Sequence, residues 1–295
     1  MKDLVIGVFS NYGFNDVKPW IQSIKQTSFE GDVVLIGIDT KPGTMERIAE
    51  EGVIAIPTEK QKGAMIHMER FLHIYNYLNQ HRHEYRNVVS TDVRDVIFQL
   101  DPSPYMQGLF DRNDGLHLIA SSEAIRIKDE EWNRNNIIKN FGQFFYEDIK
   151  EQLVLNVGIL AGDAGYMKDL CFFLFQMSMG RADWVADQAA YNMIMHREVW
   201  DLVTWQSWLE DAWAINAHVT NYEKDIEKFK PFLVEPAPTM NEEGIVVNEN
   251  GTPFVIVHQY DRVRDWKKVV EKRFDVKIPS QYTPDEDVLI MRTDQ

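Results

Sequence analysis

The sequence has little cysteine, few cations and no long apolar run, and each shortage excludes a class of protein. One cysteine, Cys171, among 295 residues excludes an intrachain disulfide framework and predicts a reducing compartment. The 31 Lys and Arg residues are outnumbered by 46 Asp and Glu residues, so the net charge of -15 disfavours nucleic acid and anionic membranes as partners. No segment approaches the roughly 20 apolar residues that cross a bilayer. We therefore expect a cytoplasmic protein with no transmembrane segment and no nucleic-acid partner.

Motifs that define several common α/β enzymes are also missing. The sequence has no Walker loop, no Gly-x-Gly-x-x-Gly after its first apolar run, no His-Glu-x-x-His and no Gly-x-Ser-x-Gly. The Rossmann dehydrogenase, kinase and α/β-hydrolase classes therefore lose their usual support. The apolar fraction of 44% is nevertheless enough for a large core.

Strands and helices alternate in the first third of the chain. Four apolar, β-branched runs predict buried strands that begin near Leu4, Asp32, Val53 and Asn87. The segments between these runs have helical spacing or helix-boundary residues. This alternation predicts an α/β fold with a mainly parallel central sheet. Because no linker interrupts the chain, we expect one domain over residues 1–295.

The rest of the chain continues the mixed pattern. We predict strands over 115–122 and 153–165, helices over 166–179, 184–196 and 265–275, and a hairpin over 245–262. One more helix is predicted from an apolar stripe whose tryptophans pack on the core, formed by Trp205, Trp208, Leu209, Ala212 and Trp213. Trp184 is a better candidate for stacking on a ligand, because it lies close to Asp187 in sequence.

Two carboxylates and a guanidinium interrupt the fourth strand. They are Asp92, Arg94 and Asp95 in "STDVRDVIFQLDP". Ligands of doubly wound sheets bind beyond the carboxyl ends of the strands, and Mg²⁺ or Mn²⁺ binds carboxylates together with phosphate oxygens. The sequence therefore indicates a metal site here. The alternative is a strand-end turn in which Asp side chains cap backbone N–H groups and Arg94 pairs with a carboxylate.

Three further segments place polar residues or glycines at predicted element ends. His258 ends the run "FVIVH" and is either a ligand-binding residue or a hydrogen-bonded core histidine. In "ADQAAYN", Asp187 and Gln188 start a helix, where Asp187 either faces a ligand or caps the helix. In "NVGILAGDAG", Asn156 stands beside Gly158, which either permits a close backbone approach or only eases packing.

Taken in order, "STDVRDVIFQLDP", "NVGILAG", "ADQAAYN" and "VHQYDR" resemble the GT-A class of nucleotide-sugar glycosyltransferases. The resemblance covers roughly residues 4–265. It is closest to a branch with the acidic motif Asp-x-Arg-Asp, and more distantly the chain is similar to the retaining transferases that include glycogenin. It implies a GT-A-like α/β/α sandwich, with residues 1–100 as the nucleotide-binding half and residues 101–295 as the acceptor half. The alternatives are a nucleotidyltransferase of the same fold and a non-catalytic carbohydrate-binding protein.

The resemblance also implies ligands and residue roles. The donor is a nucleotide sugar, the acceptor is a glycan or a small hydroxyl compound, and Mn²⁺ or Mg²⁺ is held on the donor diphosphate by Asp92, Asp95 and His258. Arg94 stands where that class usually has its second Asp, so either Asp95 reaches the metal or Arg94 contacts the phosphates. The other implied roles are nucleoside binding by Ser10, Asn11 and Tyr12, phosphate binding by Arg70, Arg94 and Arg262, donor binding by Asn156 and Gly158, and sugar positioning or base catalysis by Asp187, Gln188 and Asp163.

Overall fold

The structure, a computed structural model, describes residues 1–61, 65–181 and 185–278, so that Trp184 lies outside the described residues. The strands are, in chain order, β1 (Lys2–Ser10), β2 (Asp32–Ile38), β3 (Ile54–Thr58), β4 (Tyr85–Thr91), β5 (Val96–Phe98), β6 (Leu118–Arg126), β7 (Leu153–Asp163), β8 (Thr204–Ser207), β9 (Ala214–Asn216), β10 (Thr239–Met240), β11 (Val246–Val247) and β12 (Ile256–His258).

The helices alternate with these strands through most of the chain. They are α1 (Phe14–Lys25), α2 (Thr44–Glu50), α3 (Ile66–His81), α4 (Pro102–Arg112), α5 (Glu131–Phe141), α6 (Gln143–Ile149), α7 (Ala164–Ser178), α8 (Asp187–Met195), α9 (Glu198–Asp201), α10 (Ala217–Asn221), α11 (Ile226–Phe229) and α12 (Arg264–Phe274). Within the described residues, none of them combines the length and the apolar composition that a membrane span requires.

The central sheet has seven strands in the order β3-β2-β1-β4-β7-β6-β8. Neighbouring strands run parallel, except that β7 is antiparallel to both β4 and β6. The predicted mixed α/β fold with a mainly parallel sheet is therefore confirmed. The first four strands also begin close to the predicted residues, because continuous β-branched runs are typical of strands that are buried on both faces.

Helices cover both faces of this sheet. Successive residues of a strand point to opposite faces, and Leu4 and Val5 accordingly belong to different apolar clusters. The cluster around Val5 contains side chains from α1, α2 and α4. The cluster around Leu4 contains side chains from α3, α7 and α8. The result is the expected three-layer α/β/α arrangement.

A second, three-stranded sheet in the order β5-β12-β9 adjoins the carboxyl end of β4. The predicted strand over 87–98 is divided, with β4 in the central sheet, β5 in this smaller sheet and residues 92–95 between them. In the smaller sheet His258 is in register with Val96 on one side and with Asn216 on the other. The pairing therefore carries a late strand back to the turn that follows β4.

Two predictions for the second half need correction. The predicted helix over 205–213 is wrong: its residues form β8, a turn and the approach to β9. Strand β8 pairs with β6 at the sheet edge, and the Glu235 carboxylate accepts the Leu209 and Glu210 N–H groups, so tertiary partners replace helical hydrogen bonds. The predicted hairpin exists only around its turn, because beyond Phe254 the chain enters β12 and pairs with β5 and β9.

Candidate functional site

Asp92, Asp95 and His258 meet at the carboxyl end of β4. His258 Nε2 lies 3.4 Å from Asp92 Oδ2 and 3.8 Å from Asp95 Oδ2, and one ligand atom from each of the three residues lies within 4.8 Å of the others. Backbone bonds fix both ends of the turn over residues 92–95: Asp92 N donates to Gly158 O on β7, and Gln259 N, next to His258, donates to Asp95 O. The expected convergence of these three side chains is thus present, although the chain separates His258 widely from the other two.

The orientation of the His258 ring is fixed by Asn216. The Asn216 Nδ2 group donates to Ser122 O at 3.1 Å, so Asn216 Oδ1 faces the imidazole and lies 2.9 Å from His258 Nδ1. An amide oxygen only accepts hydrogen bonds, and Nδ1 must therefore carry the hydrogen. This leaves Nε2 directed at the two carboxylates, in the arrangement of a metal-binding histidine held by an outer partner.

Gly158 lets the backbone of β7 pass directly against this cluster. A methyl group added at Gly158 would come 2.5 Å from His258 Cε1, 2.9 Å from Asn156 Oδ1 and 3.0 Å from Asp92 Oδ2. Real Cβ atoms do not approach other heavy atoms this closely, and any larger residue would displace the cluster. Of the two interpretations given to Gly158 from the sequence, a close approach at the site fits better than simple packing.

Arg70, on α3, joins Asp92 to Asp187. Its Nη1 donates to Asp92 Oδ1 and its Nη2 donates to Asp187 Oδ2 at 2.9 Å. Loss of hydration by itself raises the pKa of Asp92, but Arg70 and then His258 outweigh that effect and the pKa is lowered. Asp92 therefore stays ionised, as a metal ligand must. Its side chain remains 33% exposed, which shows that the cluster opens to solvent.

Asp187 does not cap α8. The residue at the cap position is Ala186, and no side chain there binds the free N–H groups. The Asp187 carboxylate is buried, with Oδ2 bound to Arg70 and Oδ1 without a hydrogen-bond partner in the part of the chain that the structure describes. His67, near the start of α3, lies close enough that Asp187 opposes the lowering of the His67 pKa by burial. The capping interpretation of Asp187 is therefore wrong, and Arg70 instead connects its carboxylate to Asp92.

Arg94 and Arg262 lie on the other side of the cluster. Arg94 pairs with a carboxylate, but its Nη2 donates to Asp261 Oδ2 at 3.1 Å rather than to Asp95, and its carbonyl oxygen accepts the Tyr260 hydroxyl. Asp261 is nearly fully buried, which favours such a pair. The Arg262 side chain is partly buried, and its Nε has no hydrogen-bond partner among the described residues.

Gln188 belongs to a buried polar network that the sequence did not reveal. Its Nε2 donates to Glu123 Oε1 and to Asn133 Oδ1, at 3.1 and 3.0 Å, and its Oε1 accepts from Val157 N at 3.5 Å. Both N–H groups of the Gln188 amide are therefore used by protein partners. Its side chain supports the site from behind.

Glu123, on β6, is a buried carboxyl group in this network that the sequence analysis did not single out. Its Oε1 accepts from Asn156 Nδ2 at 2.6 Å and from Gln188 Nε2, and the residue is only 6% exposed. Burial, reinforced by Glu130, raises its pKa to about 7, although the bonds from Asn156 and Gln188 oppose the rise. A signal existed: Glu123 is the one charged residue in the apolar run "LIASSEAI".

The predicted nucleoside residues lie where β1 ends. Asn11 donates to the Ser10 hydroxyl at 3.2 Å and has a left-handed backbone, φ 59°. Tyr12 is half-buried, and its pKa is raised by burial and, less strongly, by Asp95. Since β1 and β4 are adjacent parallel strands, their carboxyl ends meet at one edge of the sheet.

Asp163 lies away from this edge. It pairs in register with Asn87, near the start of β4, whereas Asp92 follows the end of that strand. Its carboxylate accepts from Gly165 N and Tyr166 N and caps α7. The structure therefore does not bring Asp163 together with the other predicted site residues.

The three converging side chains fit a hard divalent cation. Carboxylate oxygens and an imidazole nitrogen are ligands that Mn²⁺ and Mg²⁺ accept, with the remaining positions left to water or phosphate. The cluster satisfies the chemical requirement because Asp92 stays ionised and His258 Nε2 is directed inward. Asp92, Asp95 and His258 are thus the residues that could hold the ion.

Comparison with known proteins supports the fold. No family model matches this chain, and no curated protein matches it in sequence. The structure is similar to the crystal structure of mouse xyloside xylosyltransferase 1 in its apo form, with a TM-score of 0.52 and 11% sequence identity, over 87% of this chain and 97% of that chain. At this identity the likeness concerns the fold alone, which is GT-A-like.

Proposed function

We propose that the protein is a glycosyltransferase that moves a sugar from a nucleotide-diphosphate donor to a hydroxyl acceptor, with Mn²⁺ or Mg²⁺ on the diphosphate. The observation that carries the proposal is the meeting of Asp92, Asp95 and His258 at the ligand-binding edge of a glycosyltransferase-like sheet. When bound, the ion stabilises the negative charge of the departing nucleoside diphosphate.

The charges around the cluster explain why a cation would be needed. The site contains four carboxylates, on Asp92, Asp95, Asp187 and Asp261, and three guanidinium groups, on Arg70, Arg94 and Arg262. The guanidinium groups of Arg70 and Arg94 are already paired with carboxylates. A diphosphate would add further negative charge to an acidic chain. A divalent cation reverses the local sign and makes the site attractive to the donor.

The chain's own residues would then divide the donor between them. Ser10, Asn11 and Tyr12 bind the nucleoside at the end of β1, and Arg94 and Arg262 bind the phosphates. Arg262 suits this role because its Nε has no partner among the described residues. On the other side, Asn156, Gly158, Asp187 and Arg70 border the sugar. Gln188 acts only through the residues that it holds in place.

A ligand screen tests the proposal directly. Thermal shift would be measured with UDP, GDP and dTDP, each in the presence of Mn²⁺, Mg²⁺ or EDTA, and hydrolysis of the matching nucleotide sugars would follow. We expect one nucleoside diphosphate to stabilise the protein only with a divalent cation, and its nucleotide sugar to be hydrolysed slowly.

Matched variants assign the effect to the site. Asp92→Ala and His258→Ala should remove the cation-dependent stabilisation, whereas Asp163→Asn at the opposite edge of the sheet should keep it. If nucleotides still stabilise the protein in EDTA, Arg94 and Arg262 bind the diphosphate without a metal ion. Binding without any turnover of a nucleotide sugar would refute the enzymatic proposal.

A further inference from the structure

We infer that Glu123 binds a hydroxyl group of the transferred sugar through its Oε2 atom. The inference rests on the proposed function and names a contact in that same site. Glu123 was absent from the residues expected from the sequence, and nothing in the proposed donor site uses it.

The two oxygens of Glu123 have different surroundings. Oε1 accepts two hydrogen bonds, from Asn156 Nδ2 at 2.6 Å and from Gln188 Nε2 at 3.1 Å, and these bonds fix the carboxyl group in one orientation. Oε2 has no hydrogen-bond donor among the described residues. Glu123 is 6% exposed as a residue, but Oε2 is not among the fully enclosed unpaired side-chain atoms of the described residues, so it is open to a bound molecule. Oε2 is therefore an acceptor held ready for a donor that the chain does not supply.

The neighbouring amides are not available for this contact. Gln188 donates its N–H groups to Glu123 and Asn133, and its oxygen accepts from Val157 N. The Asn156 side-chain oxygen accepts from Gly158 N at 2.8 Å. Of these three connected side chains, Glu123 is the one with an unused acceptor atom.

The backbone of β6 is shaped to present Glu123. Pairing between β6 and β7 shifts register on both sides of Ser122, and Ala124 adopts a left-handed φ of 55°. A non-glycine residue in that region carries strain, and such strain is concentrated at functional sites. Ala124 O accepts from Val234 N at 2.9 Å, so tertiary packing holds the irregular segment.

The position of Glu123 in the sheet agrees with the order of nucleoside, diphosphate and sugar along a donor molecule. Strands β1, β4, β7 and β6 are successive neighbours. The nucleoside residues follow β1, the metal cluster follows β4, Gly158 and Asn156 lie on β7, and Glu123 lies on β6. The distance from β4 to β6 is two strand spacings, about 10 Å. His258 lies near enough to oppose the rise of the Glu123 pKa.

The chemistry of Oε2 defines the class of group that it binds. An acceptor atom binds an N–H or O–H donor, and the nucleotide sugars carry several hydroxyl groups on the ring next to the diphosphate. A carboxyl oxygen accepts a hydrogen bond from a sugar hydroxyl, and the bond becomes charge-assisted when the carboxyl group is ionised. The inference therefore gives Glu123 a share in choosing the sugar.

Glu123→Gln tests the contact with little change of shape. The glutamine oxygen can still accept from Asn156 and Gln188, while Oε2 is replaced by an NH₂ group that donates. With the donor found in the wild-type hydrolysis screen, kcat/KM should fall by about 10- to 100-fold. The Kd of the matching nucleoside diphosphate with Mn²⁺ should stay within about twofold. Glu123→Asp serves as the second variant if Glu123→Gln does not fold.

Deoxy-sugar donors identify the hydroxyl group. The wild type should lose about the same factor on one deoxy donor, and Glu123→Gln should lose nothing further on it. Asn133→Ala removes the Asn133 acceptor of Gln188 and should retain the wild-type ratio of activity between the full donor and the deoxy donor. Unchanged kinetics in Glu123→Gln, or an equal loss of diphosphate binding, would overturn the inference while the proposed function stands. Failure of the wild type to turn over any nucleotide sugar would overturn both.

Discussion

Asn216 determines which nitrogen His258 presents to the two aspartates. The 2.9 Å contact between Asn216 Oδ1 and His258 Nδ1 places the ring hydrogen on Nδ1, because the Asn216 amide is itself oriented by Ser122 O. Nε2 is then the atom that lies 3.4 Å from Asp92 and 3.8 Å from Asp95. Asn216 thus prepares the cluster for a cation although it is not one of the three candidate ligands.

Removing this outer partner should weaken metal binding. We expect Asn216→Ala to lower the affinity for Mn²⁺ by roughly 10- to 100-fold, as for other outer partners of metal-binding histidines. Isothermal titration with Mn²⁺ measures the effect. Asn248→Ala is a suitable control, since Asn248 is also buried and hydrogen-bonded but belongs to a turn away from the cluster. Equal losses in the two variants would refute the role of Asn216.

Gly158→Ala should disturb the same cluster from the β7 side. The new methyl group would overlap His258 Cε1, and forced overpacking costs about 1 to 3 kcal/mol of the free energy of unfolding. Urea denaturation and Mn²⁺ titration should both show the change. Gly108→Ala, on α4, meets only the flexible end of Arg112 and should lower neither quantity. A fully stable Gly158→Ala protein with normal Mn²⁺ affinity would contradict the close packing.

Arg70→Ala should be strongly destabilising. The substitution leaves the Asp187 carboxylate, 2% exposed, without its donor, and an uncompensated buried charge costs on the order of 3 to 5 kcal/mol. Arg70→Met combined with Asp187→Leu should recover part of the loss in urea denaturation. Lys2→Ala breaks an exposed ion pair with Asp32 and should have no measurable effect. A mild Arg70→Ala phenotype would mean that Asp187 finds another partner.

Glu123 should make the stability of the protein depend on pH. Burial, with a smaller contribution from Glu130, raises its pKa from the ordinary value of 4.5 to about 7 in the folded state. The protonated carboxyl group therefore contributes stability that is present below pH 4.5 and is lost as the pH rises through about 7.

Glu123→Gln removes this ionisation. Its free energy of unfolding should fall less between pH 5 and pH 8 than that of the wild type, by an amount on the order of 3 kcal/mol. Urea denaturation at four pH values, in EDTA, gives the comparison. Parallel stability curves for the two proteins would show that Glu123 ionises normally.

Most of the fold and part of the site follow from local sequence patterns. The strands that open the chain are continuous β-branched runs, and burial on both faces of a parallel sheet requires such runs. Asp92 and His258 could be assigned to one edge because each follows an apolar run. The helix expected from the spacing of Trp205 and Trp213 does not form. Pairing of β8 with β6 and the hydrogen bond from Leu209 N to Glu235 outweigh the helical periodicity.

The partner of each polar side chain was decided by the tertiary structure. The sequence determined which residues are polar and at which strand or helix end they lie, since periodicity and burial are local properties. Only the folded chain decided that Arg94 pairs with Asp261 and that Gln188 donates to Glu123 and Asn133. These pairs are 55 to 167 residues apart in sequence. Their contacts depend on strand order and register, which no local pattern encodes.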